Sequence, residues 1–151
     1  MKKDYLELTR LIERLHRRFL DVLRAELGRM GIKELNAVQA LLLTNIGAEH
    51  IAIRDLVERG YYQGSNVSYN IKKLTDMGYL EQERSQHDRR SVTVRLTDKA
   101  LQVVARVEAL EDVNAAAIEG SGVEGKDLRS TAETLRRIER TWADYIRYGE
   151  G

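Results

Sequence analysis

The stretch LVERGYYQGSNVSYNIKKLTDMGYLEQERSQHDRRSVTVRLTDK, residues 56–99, decides the fold. In its middle, Val67, Ile71 and Leu74 recur at i, i+4 and i+7, so they form one apolar stripe on a helix. Gly78 follows this stripe and predicts the end of the helix, because glycine readily adopts the left-handed conformation found there. The stretch therefore predicts a short helix, a turn and a second helix.

A β-hairpin is predicted directly after the second helix. Its strands are residues 80–84 and 92–96, and alternate residues from Val92 to Leu96 are apolar and would face the core. The connecting loop, residues 85–91, is too polar for a core position and is rich in arginine. The expected fold is therefore mainly α, with a small β-hairpin wing attached to a helix-turn-helix.

The side of the second helix opposite the apolar stripe carries hydroxyl, amide and cationic side chains. These groups are the donors and acceptors that read base edges and hold phosphates in a DNA major groove. A purely solvated face would contain mainly Glu and Lys, and the two lysines alone could be ordinary surface residues. The predicted contacts, together with the residue before the helix, are Gln63, Ser65, Asn66, Ser68, Tyr69, Lys72 and Lys73.

The loop of the hairpin supplies a second group of candidates. Arg90 would enter a DNA minor groove, where narrow A·T-rich tracts concentrate negative potential, and Asp88 would fix the loop or the arginine. Arg89 is the second candidate cation. The alternative is an ordinary polar hairpin loop with no partner.

Two segments resemble the MarR family of winged-helix regulators: DRRSVTVRLTDKA at 88–100, and LNAVQALLL at 35–43. The resemblance implies a dimeric, helix-rich DNA-binding protein that is often released from its operator by a small ligand. It also implies a winged helix-turn-helix domain at 33–97 and a helical dimerisation region formed by 1–32 and 98–151. The segment GYYQG at 60–64 departs from the polar turn that is usual in this family.

Composition restricts the class of protein. The chain has 151 residues, 42% of them hydrophobic, which is enough for a globular core. Cysteine is absent, which excludes disulfides, thiolate zinc sites and cysteine-based redox sensing. No apolar run is long enough for a membrane span or a signal peptide, so we expect a cytoplasmic protein without a membrane partner.

The net charge of +1 does not by itself indicate a partner, but the distribution of charged residues along the chain does. Segment 1–30 carries eight Lys and Arg against five Asp and Glu, and segment 53–96 carries eight against six. Segment 97–151 carries eight against eleven. An excess of basic residues in the first two segments and of acidic residues in the last fits a protein that contacts DNA with one side only.

Helices are also predicted before the helix-turn-helix. Apolar residues at steps of three and four predict an amphipathic helix over residues 4–28. Asn36 and Gln39 resemble a capping box and begin a second helix that ends near residue 46. The predicted buried stripe of that helix is Val38, Leu41, Leu42 and Ile46.

Two more helices are predicted after the hairpin. Thr97 caps a helix over 98–119, whose buried side is either Leu101, Val104, Val107 and Leu110 or Val103, Val107, Leu110 and Ala117. After a break at 120–122, apolar residues again recur at steps of three and four. The apolar side of this last helix needs a partner helix, and association of two chains through their terminal helices provides one. The predicted dimerisation residues are Leu8, Leu11, Leu128, Leu135, Ile138 and Trp142.

No enzymatic chemistry is predicted. The three histidines lie far apart in sequence and none forms a metal-ligand motif with carboxylates, so we expect neither a metal nor another cofactor. The sequence also contains no nucleophile elbow and no glycine-rich phosphate loop.

A small-molecule effector site is implied mainly by the resemblance, which places ligands where the first, second and fifth helices meet the winged helix. His16 and Thr44 could orient a polar group, and Phe19 could cover an apolar ring. The simpler alternative is that His16 and Thr44 are satisfied locally.

The sequence thus predicts a homodimeric transcriptional regulator that binds double-stranded DNA at an inverted-repeat operator. The rival is a winged-helix module that recognises protein instead of DNA. An acidic wing and an apolar reading face would favour that rival, and this sequence has neither.

Overall fold

The computed structural model describes residues 1–58, 64–84 and 91–149, with the backbone alone for residues 64 and 65. The chain forms two compact units, Met1–Leu110 and Glu111–Gly151. Within the described residues the elements follow in this order: α1 (Lys2–Arg29), α2 (Ala37–Ile46), β1 (Ile51–Ala52), α3 (Ile53–Glu58), α4 (Gly64–Asp76), β2 (Leu80–Arg84), β3 (Val92–Leu96), α5 (Asp98–Gly120) and α6 (Gly125–Tyr148).

The sheet of the first unit is antiparallel, with strand order β1-β3-β2. Leu80 lies opposite Leu96 and Arg84 opposite Val92, so the hairpin has the strands that the alternating pattern predicted. Ile51 pairs with Val94, whose side chain is completely buried. The sheet therefore turns one face towards the helices and carries polar residues on the other.

The core of the first unit gathers side chains from α1 to α5 and from all three strands. The predicted stripe of α4 is confirmed, because Val67, Ile71 and Leu74 are each at most 2% exposed. On α5 each predicted alternative is right in part: Val103, Val104 and Val107 are buried, whereas Leu101 of the first alternative and Ala117 of the second are exposed. The core thus holds α4 by one face and leaves the opposite face to solvent.

Helix α2 begins with the predicted capping box. The Gln39 backbone N–H donates to Asn36 Oδ1 at 2.8 Å, and the Asn36 backbone N–H donates to Gln39 Oε1 at 3.0 Å. The buried stripe predicted for α2 is wrong at one position, since Val38 is 39% exposed. The helix is apolar on nearly every side, so periodicity alone does not identify its buried face.

The end of α4 is joined to the start of α5. Gly78 adopts a φ of +85°, a left-handed conformation that allows the Tyr79 N–H to reach back to Leu74 O at 2.9 Å. The Thr97 hydroxyl donates to Gly78 O at 2.7 Å and accepts from the Ala100 N–H at 3.4 Å. Thr97 is thus the predicted cap of α5 and also a link to the turn after α4.

Helix α1 is tied to the first half of α5 by a buried carboxylate. Glu26 Oε1 accepts from Arg106 Nη2 at 2.9 Å, and Glu26 Oε2 accepts from Arg29 Nη1 at 3.2 Å. The hydrogen bond from Arg106 is the main cause of a lowered pKa at Glu26, with Arg29 adding to it. Glu26 therefore stays ionised between two guanidinium groups.

The second unit contains the end of α5 and all of α6. Among the described residues of α6 none is buried, although apolar residues recur along one side of the helix. The large apolar side chains that α6 exposes are Leu128, Leu135, Trp142, Tyr145, Ile146 and Tyr148.

No helix within the described ranges is long and apolar enough to cross a membrane.

Candidate nucleic-acid interface

Helix α4 presents a polar face that is positioned by its buried stripe. The predicted contacts on this face are exposed in the structure: Asn66, Ser68, Tyr69, Lys72 and Lys73. Ser65 lies in the first turn of the helix, where only its backbone is described, and Gln63 lies outside the described residues. The sequence pattern thus identified a continuous surface with donors, acceptors and cations.

The cations of this surface are available to a partner. Lys72 and Lys73 form no ion pair within residues 1–58, 64–84 and 91–149. The ammonium group of Lys73 lies 5.7 Å from the ring centre of Tyr69, which is 61% exposed. This cation–π contact keeps a cation and an aromatic hydroxyl together on one side of the helix.

Two hydrogen-bonded contacts hold α4 against its neighbours, and sequence reasoning missed both. Gln39 Nε2, on α2, donates to Asn70 Oδ1 at 3.3 Å. Gln82 Nε2, on β2, donates to Thr75 Oγ1 at 3.0 Å. The sequence feature that could have indicated the first contact is Asn70, which lies three residues after Val67 at the border of the apolar stripe.

A second cluster connects the segment before α2 with α5. The Tyr79 hydroxyl donates to Glu34, and the ammonium of Lys99 lies 4.3 Å from the Tyr79 ring centre and donates to Met77 O at 2.9 Å. Burial, and then the Glu34 carboxylate, raise the pKa of Tyr79, while the hydrogen bond from Tyr79 is the main cause of a lowered pKa at Glu34. Tyr79 is 1% exposed, as expected for a packing residue.

The wing is described as far as its strands. Arg95 Nε, on β3, donates to Glu81 Oε2 on β2 at 2.7 Å, and Thr93 Oγ1 donates to Glu83 O at 3.2 Å. Arg95 is thereby paired on the sheet. The predicted contacts Asp88, Arg89 and Arg90 lie outside the described residues.

The candidate effector residues are described individually. His16 and Phe19 are exposed on α1, and the half-buried Thr44 donates its hydroxyl to Ala40 O at 3.1 Å, the local bond that its simpler interpretation requires. An effector site formed by these residues stays a prediction. Within the described residues no three His, Asp or Glu side chains lie close enough to hold a metal ion.

The predicted dimerisation residues are accessible to a partner to different degrees. Leu11 on α1 and Leu128, Leu135 and Trp142 on α6 are exposed, between 37% and 54%. Leu8 and Ile138 are partly buried. Their role in association stays a prediction.

Comparison with known proteins identifies the domain around α4. Residues 35–100 match the family model described as a winged helix DNA-binding domain. The chain is 37% identical over 145 residues to the exopolysaccharide II synthesis transcriptional activator ExpG of Rhizobium meliloti (strain 1021). This match covers 96% of the chain and 75% of that relative.

Solved structures share the fold. FabT of Streptococcus pneumoniae, determined in complex with DNA, superimposes with a TM-score of 0.74 at 18% identity, covering 93% of this chain and 98% of FabT. AbsC of Streptomyces coelicolor, a MarR family transcriptional regulator, gives a TM-score of 0.73 at 18% identity, covering 90% of this chain and 92% of AbsC. The chain is a DNA-binding transcriptional regulator and not an enzyme, and it belongs to the MarR family of winged-helix regulators.

Proposed function

We propose that the protein binds an inverted-repeat operator as a homodimer in the cytoplasm, with α4 in the major groove and the wing in the flanking minor groove. The observation that carries the proposal is the polar face of α4, whose lysines form no ion pair within the described residues and whose opposite side is held in the core. Residues 33–97 supply the DNA-binding domain, and residues 1–32 and 98–151 supply association.

The proposal of a homodimer rests on apolar surface that one chain leaves uncovered. Helix α6 exposes Leu128, Leu135 and Trp142, and α1 exposes Leu11 and Leu15. Apolar side chains exposed along two helices favour association, and an aromatic anchor such as Trp142 is typical of interface centres. A second copy of the chain would cover the exposed apolar residues of α1 and α6, and it provides a second α4 for the second half-site.

We also propose a direction of regulation, on the basis of a relative. ExpG is a transcriptional activator, and we extend activation to this chain on the basis of 37% identity over nearly its whole length. A reporter under a bound promoter, measured with and without the protein, tests this extension. Lower reporter expression in the presence of the protein would contradict it.

A small apolar anionic or aromatic molecule is the proposed effector. It would bind near His16, Phe19 and Thr44 and change the spacing of the two copies of α4, which must lie roughly 34 to 36 Å apart to enter successive major grooves. A hundredfold loss of operator affinity requires roughly 3 kcal/mol of differential binding between the two states. Titration of aromatic acids into the wild type and into Thr44→Ala and His16→Ala, followed by operator release, tests the site. An equal response of all three proteins would contradict it.

The central experiment is selection of bound genomic fragments at two salt concentrations. An enriched inverted repeat, with affinity falling steeply as salt rises, is the expected result, because phosphate contacts release counterions. Recovery of fragments without a shared sequence would contradict an operator function. It would favour the rival, a winged-helix module that recognises protein.

A further inference from the structure

Gln39 is a buried polar residue on α2 whose groups are all engaged. It is 5% exposed, and its backbone N–H and its Oε1 form the two bonds of the capping box with Asn36. Its remaining polar group, Nε2, donates to Asn70 Oδ1 on α4 at 3.3 Å. The capping residue of α2 therefore also holds a side chain of α4.

Asn70 lies where the buried and exposed faces of α4 meet. It is half-buried, three residues after Val67, and it follows the exposed Asn66 by four residues and precedes the exposed Lys73 by three. Because a side-chain amide is planar, fixing Oδ1 on Gln39 directs the Nδ2 group to the other side. No acceptor for this nitrogen is found in the described part of the chain.

We propose that Asn70 Nδ2 donates a hydrogen bond to a DNA phosphate beside α4, and that Gln39 is a positioning residue that orients the Asn70 amide for it. The inference rests on the proposed function. A short side chain at the edge of a reading helix lies next to the DNA backbone, whereas the centre of the exposed face meets the bases. Asparagine is among the side chains that commonly donate to phosphate oxygens.

Asn70→Asp is the discriminating variant. The aspartate has the same shape and retains an oxygen for Gln39 Nε2, but it replaces the outward donor with a carboxylate that repels phosphate. We expect affinity to fall about tenfold or more on operator and non-operator DNA alike, as loss of a hydrogen bond to a charged group does, with thermal stability unchanged. Gln102→Glu, the same amide-to-acid change at an exposed position of α5, is the matched control.

The role of Gln39 is tested by a double-mutant cycle. Gln39→Glu retains the acceptor for the Asn36 N–H but removes the donor to Asn70, so the Asn70 amide is free to turn its nitrogen inwards. We expect a loss of affinity in the wild-type background and almost none in the Asn70→Ala background. An equal loss in both backgrounds would show that Gln39 acts through the fold and would overturn its positioning role.

The wild-type protein provides a measurement that needs no variant. The side-chain amide resonances of Asn70 should shift when duplex DNA is added, whereas those of Gln102 should not. If the wild type binds DNA but Asn70→Asp binds as tightly as Gln102→Glu, the inference fails and the proposed function stands. If Asn70→Asp weakens only some sequences, Asn70 contacts a base and the phosphate assignment is overturned. Absence of DNA binding by the wild type would instead refute the proposed function.

Discussion

The hydroxyl of Tyr79 donates a hydrogen bond to Glu34 Oε1 at 2.5 Å, joining the turn after α4 to the segment before α2. Lys99, at the start of α5, covers the ring and lies 3.9 Å from the same carboxylate oxygen. Three segments that surround α4 in sequence thus meet at one buried phenol.

Tyr79→Phe is expected to destabilise the protein by about 1 kcal/mol, the usual net value of a hydrogen bond, because the ring still fills its site. Urea unfolding monitored by circular dichroism measures the effect. Tyr148→Phe removes a hydroxyl from an exposed ring and serves as the control, with no expected change. Equal midpoints for Tyr79→Phe and the wild type would contradict the contribution of the cluster.

Stability should fall in acid as Glu26 and Glu34 become protonated. Their pKa values in the folded chain lie below the ordinary value of 4.5, so the folded state binds fewer protons than the unfolded state. The stabilisation is therefore present above about pH 4.5 and is lost as pH falls through the lower folded values. Unfolding midpoints of the wild type and Glu26→Gln between pH 7 and pH 3 measure it. The variant should be less stable at pH 7 and should depend less on pH.

Arg90→Ala should weaken operator binding about tenfold, as expected for loss of a charged contact, while thermal stability and dimerisation stay unchanged. The reason is that Arg90 is predicted to contact DNA and to contribute nothing to the core. Fluorescence anisotropy at physiological salt, with a melting curve for each protein, measures both quantities. Unaltered affinity would contradict the assignment of the wing, and Arg89→Ala would then test the second candidate.

Lys73→Ala and Asn66→Ala should have different kinds of effect on DNA binding. Removing a phosphate contact weakens binding to all sequences and reduces the salt slope by about one, whereas removing a base contact changes which operator is preferred. Titrations at several salt concentrations, on the operator and on variants with single base changes, separate the two effects. If both substitutions act uniformly on every sequence, α4 does not read bases.

The intact chain should have twice the monomer mass of 17.3 kDa in light scattering. Deletion of residues 126–151 should give a monomeric or aggregating chain that no longer holds the operator tightly, because single chains lose the effective concentration that links two half-sites. Trp142→Glu, which places a charge on the apolar seam of α6, avoids truncation and should shift the mass towards the monomer. A monomeric intact protein would contradict this proposal.

Local patterns predicted the elements more successfully than the contacts between them. The strands and the α2 capping box were predicted correctly because alternation and a three-residue spacing are local. The exposure of Val38 could not be predicted, since α2 is apolar on nearly every side and its buried face depends on the elements that pack against it, chiefly α1 and β3. The bond between Gln39 and Asn70 joins residues 31 positions apart, and such pairings depend on how helices dock.

The absence of buried residues in α6 has a consequence for how the protein responds to its own abundance. A 24-residue helix with no buried side chain gains little from its own chain, so under the proposed association its stability comes from the second copy. At low abundance the concentration of dimer then rises with the square of the chain concentration, and a doubling of expression gives about four times as much dimer. Promoters under this regulator would therefore respond more steeply than linearly to changes in its synthesis.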